Sequence, residues 1–213
     1  LTEALELDRL PRRIECYDIS NLQGDFAVGS MAVFADGLPQ NSSYRRFRIR
    51  AVEGQDDYAM LAEVIERRLG AAAGGNSKFL PLPDLMLIDG GKGQLNSVAH
   101  VLDTHEQVGD IALASLAKQQ EEVFLRDEPD PVNMSHYPRA HLLLQRIRDE
   151  AHRFAISYHR GVREKALTVS ELDAIPGIGP RRRAELQRAF PSLRAMRDAS
   201  IEELASVPGM NQK

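Results

Sequence analysis

Apolar residues recur along this chain in two rhythms, and the switches between them outline its elements. Arg13–Ile19 and Ala27–Phe34 have the length and apolar content of strands, and Asp36-Gly37 marks a turn after the second. Tyr44-Arg45-Arg46-Phe47-Arg48-Ile49-Arg50 alternates, with Arg46, Arg48 and Arg50 on one face and Phe47 and Ile49 on the other. Ser43–Arg50 therefore reads as a third strand, and the short connections predict an antiparallel meander. From Asp56 to Leu69 the period lengthens, and Tyr58, Leu61, Val64, Ile65 and Leu69 trace the stripe of an amphipathic helix. Ala71–Ser77, rich in Ala and Gly, predicts a flexible loop.

Leu85-Met86-Leu87-Ile88 is a short run without polar positions, as in parallel strands covered on both faces. Gln94–Leu102 follows as a helix, Ile111–Leu116 as a strand and Val123–Leu125 as a shorter one. Asp127–Pro138 is rich in Pro and polar residues and reads as a loop. The longest helix is expected from Arg139 to near Arg160, with Leu144, Ile147, Ala151, Phe154, Ala155 and Tyr158 on one stripe. A basic linker over Gly161–Lys165 is expected to follow. Strands first, then alternating strand and helix, predict an α/β fold whose mixed sheet is flanked by helices.

A small all-α appendage is predicted beyond that linker. Ile175-Pro176-Gly177-Ile178-Gly179-Pro180 separates two helical patterns and leads into Arg181-Arg182-Arg183. Its glycines permit a tight turn, and the following helix starts with N–H groups free to face an anion. This is the pattern of a helix-hairpin-helix, which grips a phosphate backbone. Glu203-Leu204-Ala205-Ser206-Val207-Pro208-Gly209-Met210 echoes it. The second copy is expected to stop at Lys213, before its second helix.

Charge sharpens this division. The net charge is −4, but residues 160–213 carry ten Lys/Arg against seven Asp/Glu, and residues 1–159 carry seventeen against twenty-four. A basic appendage on an acidic body suggests that one part holds a polyanion and the other gathers carboxylates. No apolar run approaches the ~18 residues of a membrane span, and no secretory leader is visible. The single cysteine, Cys16, excludes an internal disulfide, fits a reducing, cytoplasmic compartment and is expected to be an inert core thiol.

The carboxylates that matter stand at strand ends. Asp18 follows Ile14-Glu15-Cys16-Tyr17, and Asp89 closes the run Leu85–Ile88. Two such acids on one sheet could converge on a hard cation. Asp56-Asp57 open a helix, where one acid can cap while the other, Asp57, faces a site. Gly90-Gly91-Lys92-Gly93 lacks the spacing and the Ser/Thr of a nucleotide-binding loop, which leaves Lys92 as a candidate phosphate contact. His141, Arg148, His152 and His159 lie along one flank of the long helix. From there His152 can ligate a metal or act as an acid or base. Arg46 and Arg48 can track phosphates from their strand face, and Gly177, Ile178, Gly179, Arg181, Arg182, Arg183 and Gly209 from the hairpins.

Four segments occur together and in order: Arg13-Ile14-Glu15-Cys16-Tyr17-Asp18-Ile19-Ser20, Gln55-Asp56-Asp57-Tyr58-Ala59, Leu87-Ile88-Asp89-Gly90-Gly91-Lys92-Gly93-Gln94-Leu95 and Gln145-Arg146-Ile147-Arg148-Asp149-Glu150-Ala151-His152-Arg153-Phe154-Ala155. With the hairpins that follow, they closely resemble the C-terminal half of the UvrC family, the incision subunit of bacterial nucleotide excision repair. The resemblance covers almost the whole chain. It implies an RNase H-like nuclease domain over 1–162 and a tandem helix-hairpin-helix DNA-binding domain over 167–213. It also implies incision of damaged double-stranded DNA on the 5′ side of the lesion, Mg²⁺ or Mn²⁺ as cofactor, and Asp18, Asp57, Asp89 and His152 as catalytic residues. UvrB is the implied partner, through a segment outside this chain, and a separate N-terminal nuclease domain makes the 3′ cut. Asn21 stands where the family usually has His, and His136-Tyr137-Pro138-Arg139-Ala140 where it usually has Asp-Ser-Pro-Ala. The competing reading is a DNA- and partner-binding module without activity of its own.

Overall fold

A computed structural model describes residues 1–21, 27–52, 54–105, 111–118 and 120–210, with 21, 158–170 and 173 described by backbone alone. Contacts divide the chain into two units, Leu1–Ile156 and Ser157–Lys213.

The first unit is built on a mixed sheet of seven strands among the described residues. β1 (Arg13–Asn21) pairs antiparallel with β2 (Ala27–Ala35), from Arg13 opposite Ala35 to Asn21 opposite Ala27. β3 (Leu38–Pro39) and β4 (Arg45–Arg48) share the other edge of β2, so the expected meander is a β2 strand flanked on that side by two short ones. The third strand is shorter than the alternation predicts because Asn41–Ser43 forms a 3₁₀ turn before it. β5 (Leu85–Asp89) runs parallel to β1 and to β6 (Ala112–Leu116), and β7 (Val123–Leu125) returns antiparallel to β6. Every side chain of β5 is buried, in keeping with a central parallel strand covered on both faces.

Side-chain parity assigns the two covers. Glu15 and Tyr17 point to one face of β1, and Cys16 and Asp18 to the other. On the first face lies α1 (Asp57–Ala73), whose Arg68 is fully buried and donates to both carboxylate oxygens of Glu15 at 2.8 Å. Arg13 and the Tyr17 hydroxyl complete that network, at 2.9 and 2.6 Å from Glu15. α2 (Lys92–Thr104) packs beside α1 and on β6. The opposite face takes α3 (Pro138–Asp173) through Leu144, Ile147 and Ala151, all buried. Tyr44 meets the Phe154 ring edge-on at 5.0 Å and donates to Glu150.

Several expectations shift. α1 continues through Ala73, and the expected loop is a Gly74-Gly75 turn followed by a 3₁₀ turn at Ser77–Phe79. Tyr58, counted in the apolar stripe, is 54 % exposed because it stands in the first turn, beside Gly93. α3 does not end near Arg160. It runs to Asp173, through the segment read as a basic linker. Gly161 costs a helix only about 1 kcal/mol, and the next proline comes at Pro176, so nothing there stops propagation. His159 and Tyr158 lie outside the described side chains.

The second unit has its own small core, Leu172, Leu186, Met196 and Val207, with Ile178, Phe190, Leu204 and Met210 packed against it. α4 (Pro180–Ala189), α5 (Leu193–Asp198) and α6 (Ile201–Ala205) surround it. Gly177 and Gly209 have φ of +86° and +85°, so the repeat seen in the sequence is a repeat of backbone turn.

Candidate active site

Register brings the acids together. β1 and β5 pair in parallel as far as Tyr17 opposite Ile88, and the next residue on each strand is the acid. Asp18 and Asp89 therefore stand side by side at the carboxyl ends of neighbouring strands, 3 % and 6 % exposed. His152 reaches them from α3. Its Nδ1 lies 3.7 Å from Asp18 Oδ1 and 3.9 Å from Asp89 Oδ2. Ligand atoms from all three lie within 4.8 Å of one another. These separations are too long for hydrogen bonds, yet suit three ligands around one small cation at ~2.1 Å from each.

Buried polar atoms are almost always paired. Here both Asp89 carboxylate oxygens and His152 Nδ1 are buried without a hydrogen bond. The Lys118 ammonium is 3.2 Å from Asp89 Oδ2, close enough for an ion pair but not aligned as a hydrogen bond. Burial pushes the Asp89 carboxyl up to about 7, the neighbouring Asp18 adds to this, and Lys118 opposes it. Asp18 is better provided for, since Ser20 donates to its Oδ2 at 2.6 Å. Two carboxyl groups, a ring nitrogen and a surplus of unsatisfied lone pairs fit a hard divalent ion.

An open cleft of about 540 Å³ spreads from these residues. Asp57 and Lys92 line it with Asp18, Asp89 and Lys118. Asp56 caps α1 by accepting from Tyr58 and Ala59 at 3.1 and 3.0 Å, and the next residue, Asp57, lines the cleft. Asp57 thus joins the site but not the three-ligand cluster. Lys92 donates to the Pro129 carbonyl at 2.7 Å. Lys118 is the participant that sequence reasoning missed. It follows β6 with no motif around it, and only the pairing of β6 with β5 brings it to Asp89.

The basic candidates divide. Arg46 lies over the Phe154 ring, 3.7 Å from its centroid, and donates to the Phe154 carbonyl, so it packs on α3 away from the cleft lining. Arg48 is exposed on the same strand. In the second unit, Gly177, Gly179, Arg181, Arg182 and Gly209 line one cleft, which brings the two hairpin turns together. Gly179 caps α4 without a side-chain hydrogen bond, and Arg182 donates to the Gly177 carbonyl at 2.8 Å. Ile178 is partly buried against the small core, and Arg183 is half-buried.

The family model described as the UvrC RNAse H endonuclease domain matches residues 2–156. The chain belongs to the UvrC family. A SAM-like tandem helix-hairpin-helix model matches residues 169–213. The UvrABC system protein C of Dehalococcoides mccartyi strain CBDB1 is 51% identical over 214 residues, covering 100% of this chain and 35% of that protein. That of Moorella thermoacetica is 49% identical over 212 residues, covering 100% and 34%. The chain thus spans about a third of the UvrC relatives it matches. Ciona intestinalis Endonuclease V, solved with an inosine-containing 23mer DNA, aligns with 53% of this chain and 48% of its own, at 13% identity and a TM-score of 0.38. No helix among the described residues is long and apolar enough to cross a membrane.

Proposed function

We propose that this chain is a metal-dependent DNA endonuclease that makes the 5′ incision of nucleotide excision repair, with UvrB as partner and its hairpin unit holding the DNA backbone. The observation that carries this is the convergence of Asp18, Asp89 and His152, with three buried polar atoms left unsatisfied. Asp18, Asp89 and His152 would hold Mg²⁺ or Mn²⁺. The bound ion would supply positive charge that acidifies a water and offsets charge building on the phosphate.

The chain's own groups account for the rest. Asp57, which lines the cleft, would orient a water, and Lys92 and Lys118, which also line it, would meet phosphate oxygens. The sheet and α3 shield the buried sides of both acids, which strengthens every charge interaction at the scissile bond. In the second unit, the uncapped start of α4 and Arg181 offer N–H groups and charge to phosphates without reading bases.

Substituting Asp18→Ala or Asp89→Ala in the full-length protein is expected to abolish 5′ incision while binding to damaged duplex survives. Anomalous scattering from Mn²⁺-soaked crystals should place an ion among Asp18, Asp89 and His152. Full incision by both variants, or an ion bound elsewhere, would establish the non-catalytic binding module instead.

A further inference from the structure

The motif that supplies His152 contains polar residues that the proposed chemistry does not use. Gln145 and Arg148 are two of them, and the structure turns both toward the β6–β7 hairpin. Arg148 Nη1 pairs with Glu121 Oε2 at 2.6 Å, and Gln145 Nε2 donates to the same oxygen at 3.2 Å. One turn earlier on α3, His141 Nε2 lies 2.9 Å from the Glu121 carbonyl oxygen. Asp149, at 2.8 Å, holds the other end of the Arg148 guanidinium. Three side chains of one helix thus hold a single residue of a turn. Glu121 is held in a left-handed conformation, φ +56°, which a non-glycine residue adopts only at a cost. The Ala117 N–H donates to the Glu122 carbonyl at 2.9 Å and closes the hairpin. Lys118 lies inside that closed turn, with its ammonium 3.2 Å from Asp89.

We infer that Glu121 is a positioning residue: α3 clamps it so that the β6–β7 turn delivers Lys118 to the phosphate beside Asp89. The clamp sits one helical turn before His152, so the same rigid helix sets the histidine on one side of Asp89 and the lysine on the other. Lys118 is the group that touches substrate, and Glu121 acts through it. Lys118 is half exposed on a surface turn, and without the clamp its long side chain would sample many rotamers. A fixed cation at the scissile phosphate contributes through pre-organisation, which is lost when the tether is cut. This inference rests on the endonuclease reading above.

The test is a double-mutant cycle in the full-length protein, with incision of a lesion-containing duplex and Mn²⁺ binding by electron paramagnetic resonance as separate readouts. Lys118→Ala and Glu121→Ala should each lower kcat about tenfold or more with a smaller change in KM, and the double variant should be no worse than Lys118→Ala alone. Mn²⁺ affinity should not weaken in Glu121→Ala, because Leu144, Ile147 and Ala151 keep α3, and with it His152, docked. Glu121→Gln, which keeps the Arg148 and Gln145 contacts in neutral form, should recover part of the rate. Losses that multiply in the double variant would overturn the clamp. So would unchanged kcat in either single variant, or Mn²⁺ affinity that falls in step with kcat. Asp89→Ala run in parallel separates the two readings. Retained incision there refutes the endonuclease site itself. A dead Asp89→Ala beside normal Lys118 and Glu121 variants refutes only the clamp.

Discussion

Asp89 sets metal-free stability against its proposed role in the site. Its carboxyl is pushed up to about 7 by burial, with Asp18 adding to the shift and Lys118 opposing it. In the unfolded chain the group titrates near its ordinary value of 3.8. Between those two pH values the folded state keeps a proton that the unfolded state releases, so metal-free stability falls as pH rises through this window. Above about 7 the loss is complete. Asp89→Asn removes the titration and should stabilise the metal-free protein at pH 8 by on the order of 2–4 kcal/mol. At pH 3 the difference should vanish. Calorimetric melting at both pH values checks this, and equal melting at pH 8 would show that Asp89 is not destabilised by its surroundings. Mn²⁺ affinity of the wild-type protein should rise with pH and level off above about 7, because the ion competes with that proton. Glu15 is the opposite case. Burial alone would raise its carboxyl, but hydrogen bonds and charge from Arg68, with Tyr17 and Arg13, hold it below the ordinary range. Its contribution is therefore present at neutral pH and is lost as pH falls below the ordinary carboxylate range. Removing Arg68 would strand a buried carboxylate and should cost roughly 3–5 kcal/mol.

At the scale of elements, the hairpin turn separates two kinds of glycine. Gly177 has φ +86°, so Gly177→Ala strains the backbone by about 1–2 kcal/mol and should loosen the second unit. Gly179 has φ −84°, and a Cβ there would meet nothing within 4 Å. Gly179→Ala should leave melting unchanged yet weaken binding to unrelated duplexes alike, because the methyl group keeps a phosphate from the start of α4. Circular dichroism melting with fluorescence anisotropy distinguishes the two, and a Gly179→Ala variant that binds normally would remove this turn from the interface. The same elements show what the sequence could disclose. Asp18 and Asp89 were legible because each ends an apolar run whose period identifies a strand, and parallel pairing of those strands makes them neighbours. His152 was legible only as one flank of a helix, since periodicity does not say which sheet face a helix covers. Lys118 and Glu121 left no signal, because their placement follows from the register of β6 on β5 and from contacts with α3 that are distant in sequence. The end of α3 is hard to place from sequence because Gly and basic residues around 161–165 imitate a C-terminal stop, while no proline enforces one before Pro176. Ile178 lies between two glycines of the hairpin turn, and its side chain packs against the small core.

At the scale of the whole molecule, charge and core size divide the work. Residues 157–213 carry ten Lys/Arg against seven Asp/Glu, and residues 1–156 carry seventeen against twenty-four. In the endonuclease reading the acidic unit needs its carboxylates for a cation, and that same charge repels a phosphate backbone. The basic unit offsets this, with Leu172, Leu186, Met196 and Val207 as its buried apolar residues among those described. With fewer buried apolar residues than the first unit among those described, its amides should exchange with solvent faster than those of β1 and β5. Binding driven by phosphate contacts releases counterions, so its affinity falls linearly on a log–log plot against salt. Arg181→Ala and Arg183→Ala should each reduce that slope by about one and weaken all duplexes equally. Asp89→Asn should leave the slope unchanged and raise low-salt affinity slightly, because it removes a repelling charge without removing a phosphate contact. Anisotropy titrations of the three variants over a range of salt concentrations measure these quantities together. A slope that neither arginine changes would move the DNA grip off the start of α4. A slope that steepens in Asp89→Asn would mean that Lys118, released from its ion pair with Asp89, makes a further phosphate contact.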